Sequence, residues 1–451
     1  MRLLPKIQSK YRSDTIVQRD RAICGEYAGR LKNKPAFHER VFRTSQVMIE
    51  IKTPRDQMRL RRMVLAAQGL LQTRAYGRGL SAARKAIEHI GYVQIDTISV
   101  VERAHHHVLY TRVPDFQPEM MQRMLADGDI FEYWAHAAAF LPMSDFRFSL
   151  PYKYAIKSGQ THWYRQPDQK LMKELLARIR SDGPIRSRDV DNERSAKSSG
   201  WWDWKPAKKA LEQLCMQGDL MVCKREGFQK SYDLTERVLP ACVNTQMPDL
   251  KEFAHHLLEQ QLRCHGVVSL KGLTYLRRTD GLREMVKTLV NERLAQRDLE
   301  SLRVPSGEVF FIKAVALEQP LPRVSRRLSI LSPFDNSLIQ RERLKALFQY
   351  DYQIECYVPE AKRQYGYFCL PLLFGDQFIG RMDCKAHRKI GLLEVKALHL
   401  EREDFDEEAF FDAFTEEIQN FAQFQNCASV TLKNVFPNRF ASRLNDNFAS
   451  L

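Results

Sequence analysis

A chain of 451 residues is too long for one hydrophobic core, so several domains are expected. With 44% apolar and 28% charged residues it has the make-up of a soluble globular protein, lacking an 18-residue apolar run to cross a membrane and an apolar signal core near its start. The net charge of +15 favours a polyanionic partner, and nine scattered cysteines without a Cys-x-x-Cys pair exclude a disulfide frame or a zinc ribbon and fit reduced cytosolic thiols.

The charge is unevenly spread. Residues 1–60 hold 14 lysines and arginines against 6 acids, a net of +8, which leaves +7 on the other 391 residues. Residues 1–50 are polar, basic and weakly periodic. They read either as a flexible arm adding nonspecific phosphate affinity or as an idle extension.

Residues 54–72 have helical periodicity through Met58, Leu60, Val64, Leu65 and Leu70, and a second helix near 80–90 carries Ala82, Ala83, Ala86, Ile87 and Ile90. Next comes Gly91-Tyr92-Val93-Gln94-Ile95-Asp96-Thr97-Ile98, which reads as a strand. Alternation would put Val93 and Ile95 into a core, with Gln94 and Asp96 together on the other face. An amide and a carboxylate so placed can hold one water between them, and the carboxylate can take its proton or face a developing cation. The competing reading makes Asp96 a helix N-cap, with Ser99-Val100-Val101-Glu102 as a capping box. A helix or turn then runs to about 105. A third helix near 117–126 stops at Asp127-Gly128-Asp129, and the strand Ile130-Phe131-Glu132-Tyr133-Trp134 follows.

The same order returns. An amphipathic helix runs through Leu171, Met172, Leu175, Leu176 and Ile179, and a short one lies near 186–190. A third begins at Pro206 and ends at Gly218, and a hairpin turns at Glu226-Gly227. A third copy has helices through Leu250–Leu258, after Ser269 and through Leu282–Val290, with a hairpin over 299–312 turning at Pro305-Ser306-Gly307. Three helices and a hairpin describe a winged helix, a unit that puts a helix or a wing into a DNA groove. The echo of Met124-Leu125-Ala126-Asp127-Gly128-Asp129-Ile130 in Leu214-Cys215-Met216-Gln217-Gly218-Asp219-Leu220 supports the repeat. From about 330 strands alternate with turns: Gln353–Val358, Tyr365–Leu373, Gln377–Lys385 and Leu392–Leu400, with a hairpin at Gly375-Asp376. The acidic segment 401–425 reads as a closing helix. The expected architecture is α+β: tandem winged-helix units followed by a small antiparallel β-barrel with a C-terminal helix. Its parts are the arm 1–50, winged-helix units over 51–150, 151–245 and 246–318, and a barrel-like domain over 319–451.

These motifs carry a resemblance. Val93-Gln94-Ile95-Asp96-Thr97-Ile98 resembles the Gln-apolar-Asp motif of the YcaQ/AlkX-type bacterial DNA glycosylases. The match continues in order through Phe131-Glu132-Tyr133-Trp134-Ala135-His136, Gly200-Trp201-Trp202-Asp203-Trp204-Lys205-Pro206, Leu331-Ser332-Pro333-Phe334-Asp335, Lys362-Arg363-Gln364-Tyr365-Gly366-Tyr367-Phe368 and Arg381-Met382-Asp383. It spans roughly 55–435 and leaves out residues 1–50 and His105-His106-His107. The resemblance implies tandem winged helices with a C-terminal barrel, release of N7-alkylated guanine and unhooking of interstrand crosslinks.

An N7-alkylguanine is cationic and leaves without being protonated. The enzyme must stabilise an oxocarbenium-like sugar and deliver water to C1′, so Asp96 takes the part of base or electrostatic stabiliser and Gln94 positions the water. No lysine stands where a Schiff-base nucleophile is obvious, and no cofactor or metal is implied, so a monofunctional glycosylase is expected. A crosslinked base cannot swing freely out of the stack, which implies an open site on a concave basic face without a deep base pocket. Lys205, Lys208, Lys209, Lys224, Arg225 and Lys230 read either as phosphate contacts or as a solvated charged face. Trp201, Trp202 and Trp204 either stack on bases or pack a core. His136 either touches the lesion or is a satisfied structural histidine, and Asp335 and Asp383 look like turn or barrel-closing residues. The expected partner is double-stranded DNA carrying alkylated bases or crosslinks, bound by a monomer in the cytoplasm with no membrane contact. The alternative is a winged-helix transcription regulator, or an architectural protein, without enzymatic activity.

Overall fold

The computed structural model describes residues 48–191, 206–277, 279–321 and 323–444. The expectations for the basic arm up to residue 47, for Trp201, Trp202 and Trp204, and for Lys205 lie outside the described residues.

The fold is mixed α+β. Three times the chain runs through helix, two-residue strand, short helix, third helix and hairpin. The first module has helices Gly79–Ile90, Ala104–Tyr110 and Pro118–Ala126 with strands Val93–Gln94, Ile130–Trp134 and Ala138–Pro142. The middle one has helices Gln169–Asp182, Ser187–Asp191 and Pro206–Met216 with strands Ile185–Arg186, Leu220–Glu226 and Gln229–Leu234. The third has helices Leu250–His265, Leu270–Leu273 and Leu282–Ala295 with strands Val267–Val268, Leu299–Arg303 and Val309–Lys313. In each, the two-residue strand pairs antiparallel with the last strand of the hairpin.

The turn from third helix to hairpin repeats atom for atom. Asp129, Asp219 and Asp298 each donate their backbone N–H five residues back, to the carbonyls of Met124, Leu214 and Arg293. The residue before each aspartate has positive φ: Gly128 at +74°, Gly218 at +89° and Arg297 at +59°. Such a left-handed residue closes the helix, and glycine takes it without steric cost.

The first module differs from the sequence expectation. Its middle helix is Ala104–Tyr110, whereas the helix Pro54–Ala67, expected to belong there, lies elsewhere. That helix starts with a Thr53/Asp56 capping box, and Leu60, Val64 and Leu65 pack with Val267, Leu302, Leu344 and Phe348. The strand Ile49–Glu50 before it adds in parallel to Leu302–Arg303 of the third module.

Beyond residue 327 a curled sheet forms in the order Leu328–Ile330, Cys369–Phe374, Gln377–His387, Leu392–Leu400 and Ser429–Leu432, with Val435–Phe436 also paired to Leu392–Leu400. The hairpin at Gly375-Asp376 forms as expected. Helix Glu407–Phe424 lays Phe410, Phe411, Phe414, Ile418 and Phe421 on the sheet, all buried. Residues 353–358, expected as a strand, form none. Glu355 turns inward and accepts the backbone N–H groups of Gln364 (2.9 Å), Tyr365 (2.8 Å) and Gly366 (3.1 Å), which holds the stretch as a packed loop and delays the next strand to Cys369. Among the described residues no helix is long and apolar enough to cross a membrane.

Candidate active site

Helix Gly79–Ile90 presses Ala82, Ala83, Ala86, Ile87 and Ile90 into the core, at the spacing of one helical face. It stops at Gly91, whose φ is +78°. A Cβ there would stand 2.7 Å from the Gln260 side chain of the third module, so only glycine fits. Val93 and Gln94 then pair with Phe140 and Ala139, and the Ile95 N–H reaches the Ala138 carbonyl at 2.8 Å. Asn336, beside the Leu331–Asp335 motif, clamps this approach by donating its side-chain amide to the carbonyls of Ile90 (3.2 Å) and Tyr92 (3.0 Å).

The hairpin of the first module folds its tip back on this strand. His136 donates from Nε2 to Gln94 Oε1 at 3.1 Å. Its ring sits edge-on to Tyr92 at 5.1 Å and to Tyr275 at 5.9 Å. Burial, helped by the Arg277 guanidinium, lowers its pKa to about 4, so the ring is neutral at physiological pH.

At Asp96 the chain leaves the sheet. No helix follows until Ala104, so the N-cap reading of Asp96 is corrected. Instead Asp96 accepts the Ile98 N–H at 2.7 Å in a local turn. The capping box also fails, because its residues are engaged elsewhere, by the C-terminal half of the chain and by His106. The Glu102 N–H goes to Gln425 (2.6 Å), the Val100 carbonyl takes the Ala386 N–H (2.9 Å), and the Glu102 carboxylate meets His106 (3.0 Å).

Asp96 is only 5% exposed. Burial raises its pKa from 3.8 to about 6, against the opposing backbone N–H groups of Ile98 and Thr97. Its charge is felt by Cys356, Tyr357 and Tyr367 from the loop that Glu355 gathers. Asp383 holds the same loop through the N–H groups of Tyr367 (3.3 Å) and Phe368 (3.4 Å). An openly presented carboxylate was expected; the packing of the 97–103 segment on the C-terminal sheet leaves this one nearly buried.

The basic residues of the middle hairpin turn partly inward. Arg225 (2.7 Å) and Lys230 both pair with the buried Glu132 of the first hairpin. Burial alone would raise the Glu132 pKa, but the two cations outweigh it and bring it to about 2. Lys224 pairs with Glu226 at 2.8 Å, and Lys208 and Lys209 lie on the exposed side of their helix. Of the histidine triplet, His107 donates to the Ile330 carbonyl (2.8 Å), His106 meets Glu102 and His105 is buried against Phe140. Asp335 pairs with the fully buried Arg112 through both oxygens (2.6 and 3.0 Å) and caps the turn at Ser337.

Sequence reasoning missed Asn336, Tyr357, Arg277 and the Gln94 partner role of His136. Asn336 directly follows a quoted motif, and Tyr367 lies within another. Arg277 left no pattern to find.

The repeated helix-and-hairpin modules thus carry the motif strand, and the segment that follows it packs through Ile98, Val100 and Val101 on the curled sheet. The family model "DNA glycosylase AlkZ-like" matches residues 87–424, and the chain belongs to that family. It is thus a DNA repair glycosylase that acts on DNA. Among solved structures, the Streptomyces sahachiroi DNA glycosylase AlkZ matches with a TM-score of 0.56 at 15% identity, over 84% of this chain and 99% of that one. At that identity the likeness is one of fold.

Proposed function

We propose that the protein hydrolyses the N-glycosidic bond of N7-alkylated purines, interstrand crosslinks included. In this reading Asp96 activates the attacking water or faces the sugar cation, Gln94 positions the water, and His136 orients Gln94. The observation that carries it is the pairing of a nearly buried carboxylate, its pKa raised to about 6, with an amide two residues away held by a neutral imidazole. At neutral pH such a carboxylate is mostly ionised yet more basic than a surface aspartate, which suits a general base. The cationic leaving base needs no acid, and the mechanism needs no covalent intermediate, so the enzyme is monofunctional and leaves an abasic site.

The three modules are read as tandem winged helices, with boundaries near 150, 245 and 318, and the sheet from 328 onward as a half-barrel that backs the motif strand. Lys208, Lys209 and Lys224, all exposed on the middle module, are read as phosphate contacts. Incubation with DNA carrying N7-methylguanine or a nitrogen-mustard crosslink tests the reading. Base release and unhooking without an adduct trapped by borohydride support it. A trapped adduct, or release undiminished in Asp96→Asn, refutes it. A sequence-preferring protein that releases no base from any of these substrates is the regulator instead.

A further inference from the structure

A cavity of about 350 Å³ opens three residues along the chain from Asp96, lined by Ser99, Glu102, Arg103, His106, Gln122 and Arg388, with Gly227 and Val101 closing it. Five parts of the molecule build it: the segment after the motif strand, helix Ala104–Tyr110, helix Pro118–Ala126, the tip of the middle hairpin, and the turn following strand Gln377–His387. We propose that this cavity is a phosphodiester subsite, taking a backbone phosphate of the DNA strand beside the lesion through Arg103 and Arg388.

Charge is the first argument. Glu102 is the one acid in the lining, and it is already engaged by His106 (3.0 Å) and by the Arg103 N–H (2.9 Å). Arg388 approaches it only to 3.9 Å and donates to Gln425 at 3.3 Å. Arg103 has no carboxylate within salt-bridge reach among the described residues. It donates to the Gly227 carbonyl at 3.2 Å and stacks on Phe228 at 4.2 Å. Burial and the neighbouring Arg225 and Arg388 lower its pKa against Glu102. Two guanidiniums therefore share a recess with one satisfied carboxylate, an arrangement that an anion relieves. Arg225 adds to the positive field at Arg103, although its own charge is paired with Glu132.

Size and position are the second argument. The volume is near the lower end of the ~300–1,000 Å³ range of ligand sites, enough for a phosphate with part of its sugar. Phe228, next in sequence to the lining residue Gly227, is 54% exposed on the hairpin tip, as suits a ring laid against a base. Phosphate contacts of this kind fix register on the duplex without reading sequence.

That the ligand is DNA rests on the glycosylase family. That the phosphate lies beside the lesion rests on the Asp96 reading. Two measurements on the full-length protein separate these. The salt dependence of binding to undamaged duplex should lose slope in Arg103→Gln and in Arg388→Gln, and about one unit when both are replaced, as expected for one phosphate held by two guanidiniums. Arg388 stands on a turn away from the hairpin, so its variant controls for any disturbance at Phe228. An unchanged slope in both variants overturns the subsite. The second measurement scans single methylphosphonates along a duplex carrying N7-methylguanine on a 2′-fluoro sugar. One neutralised phosphate should weaken wild-type binding and leave the variants unaffected. Additive losses at every position overturn the proposal, even if Asp96 proves catalytic. If the slopes fall but Asp96→Asn keeps full activity, the subsite stands and the Asp96 reading falls.

Discussion

At the scale of single residues, burial tunes two groups. In the proposed mechanism Asp96, its pKa raised from 3.8 to about 6, must be ionised to act. The rate at low substrate concentration should therefore climb as pH rises through about 6 and level off above it. A profile flat from pH 5 to 8 would contradict this. The same shift costs stability. Between 3.8 and about 6 the unfolded chain gives up its proton first, so folding weakens as pH rises, and the deficit of about 3 kcal/mol persists at neutral pH. Asp96→Asn removes that deficit. It should melt above wild type at pH 7.5 and equal to it near pH 3; a variant that melts lower at pH 7.5 would show that the carboxylate is not strained by burial. In the proposed mechanism His136 is a positioning residue that acts through its hydrogen bond to Gln94. His136→Ala should slow the chemical step roughly tenfold with KM little changed, as a misplaced group does. His136→Gln, which can still donate, should recover part of the loss. A lower melting temperature with an unchanged rate would make the histidine merely structural.

At the scale of elements, the thrice-used helix-to-hairpin turn explains both what the sequence disclosed and what it hid. Two copies were legible because Gly128 and Gly218 sit in matching strings. The third copy was expected from its helices and hairpin, but its turn showed no matching string because Arg297 fills the left-handed position with φ +59°. A non-glycine residue there carries strain of about 1–2 kcal/mol, so Arg297→Gly should raise the melting temperature and leave base release unchanged. A lower melting temperature would mean that the Arg297 side chain stabilises more than its backbone strains. The helix Ala104–Tyr110 was hard to see for another reason. Its three histidines look polar, yet His105 and His107 are buried, and His107 donates to Ile330 more than 200 residues away. Periodicity reports local faces, and this helix is defined by a distant partner. The stretch 353–358 failed as a strand for the same cause, since Glu355 turns inward to bind three backbone N–H groups.

At the scale of the molecule, the motif strand is held between halves that meet through buried polar contacts. Asn336 grips the carbonyls of Ile90 and Tyr92, and Asp335 locks Arg112. Burial alone would raise the Asp335 pKa, but Arg112 outweighs it, so the folded value lies below 3.8. That stabilisation is present above 3.8 and is lost as pH falls through the lower folded value. Asp335→Ala leaves a buried guanidinium without its partner and should cost about 3–5 kcal/mol, read by denaturant unfolding. A loss under about 1 kcal/mol would mean that water replaces the carboxylate. The resemblance pointed to these motifs without their function, because a sequence does not display which carbonyl an asparagine will find.

The central claim is that the Asp96 carboxylate drives cleavage. Single-turnover release of N7-methylguanine from duplex DNA, for wild type and Asp96→Asn at saturating enzyme, tests it most directly. The expected result is a loss on the order of 10²–10⁴ in rate with DNA binding retained. A variant that cleaves within a few fold of wild type would contradict it.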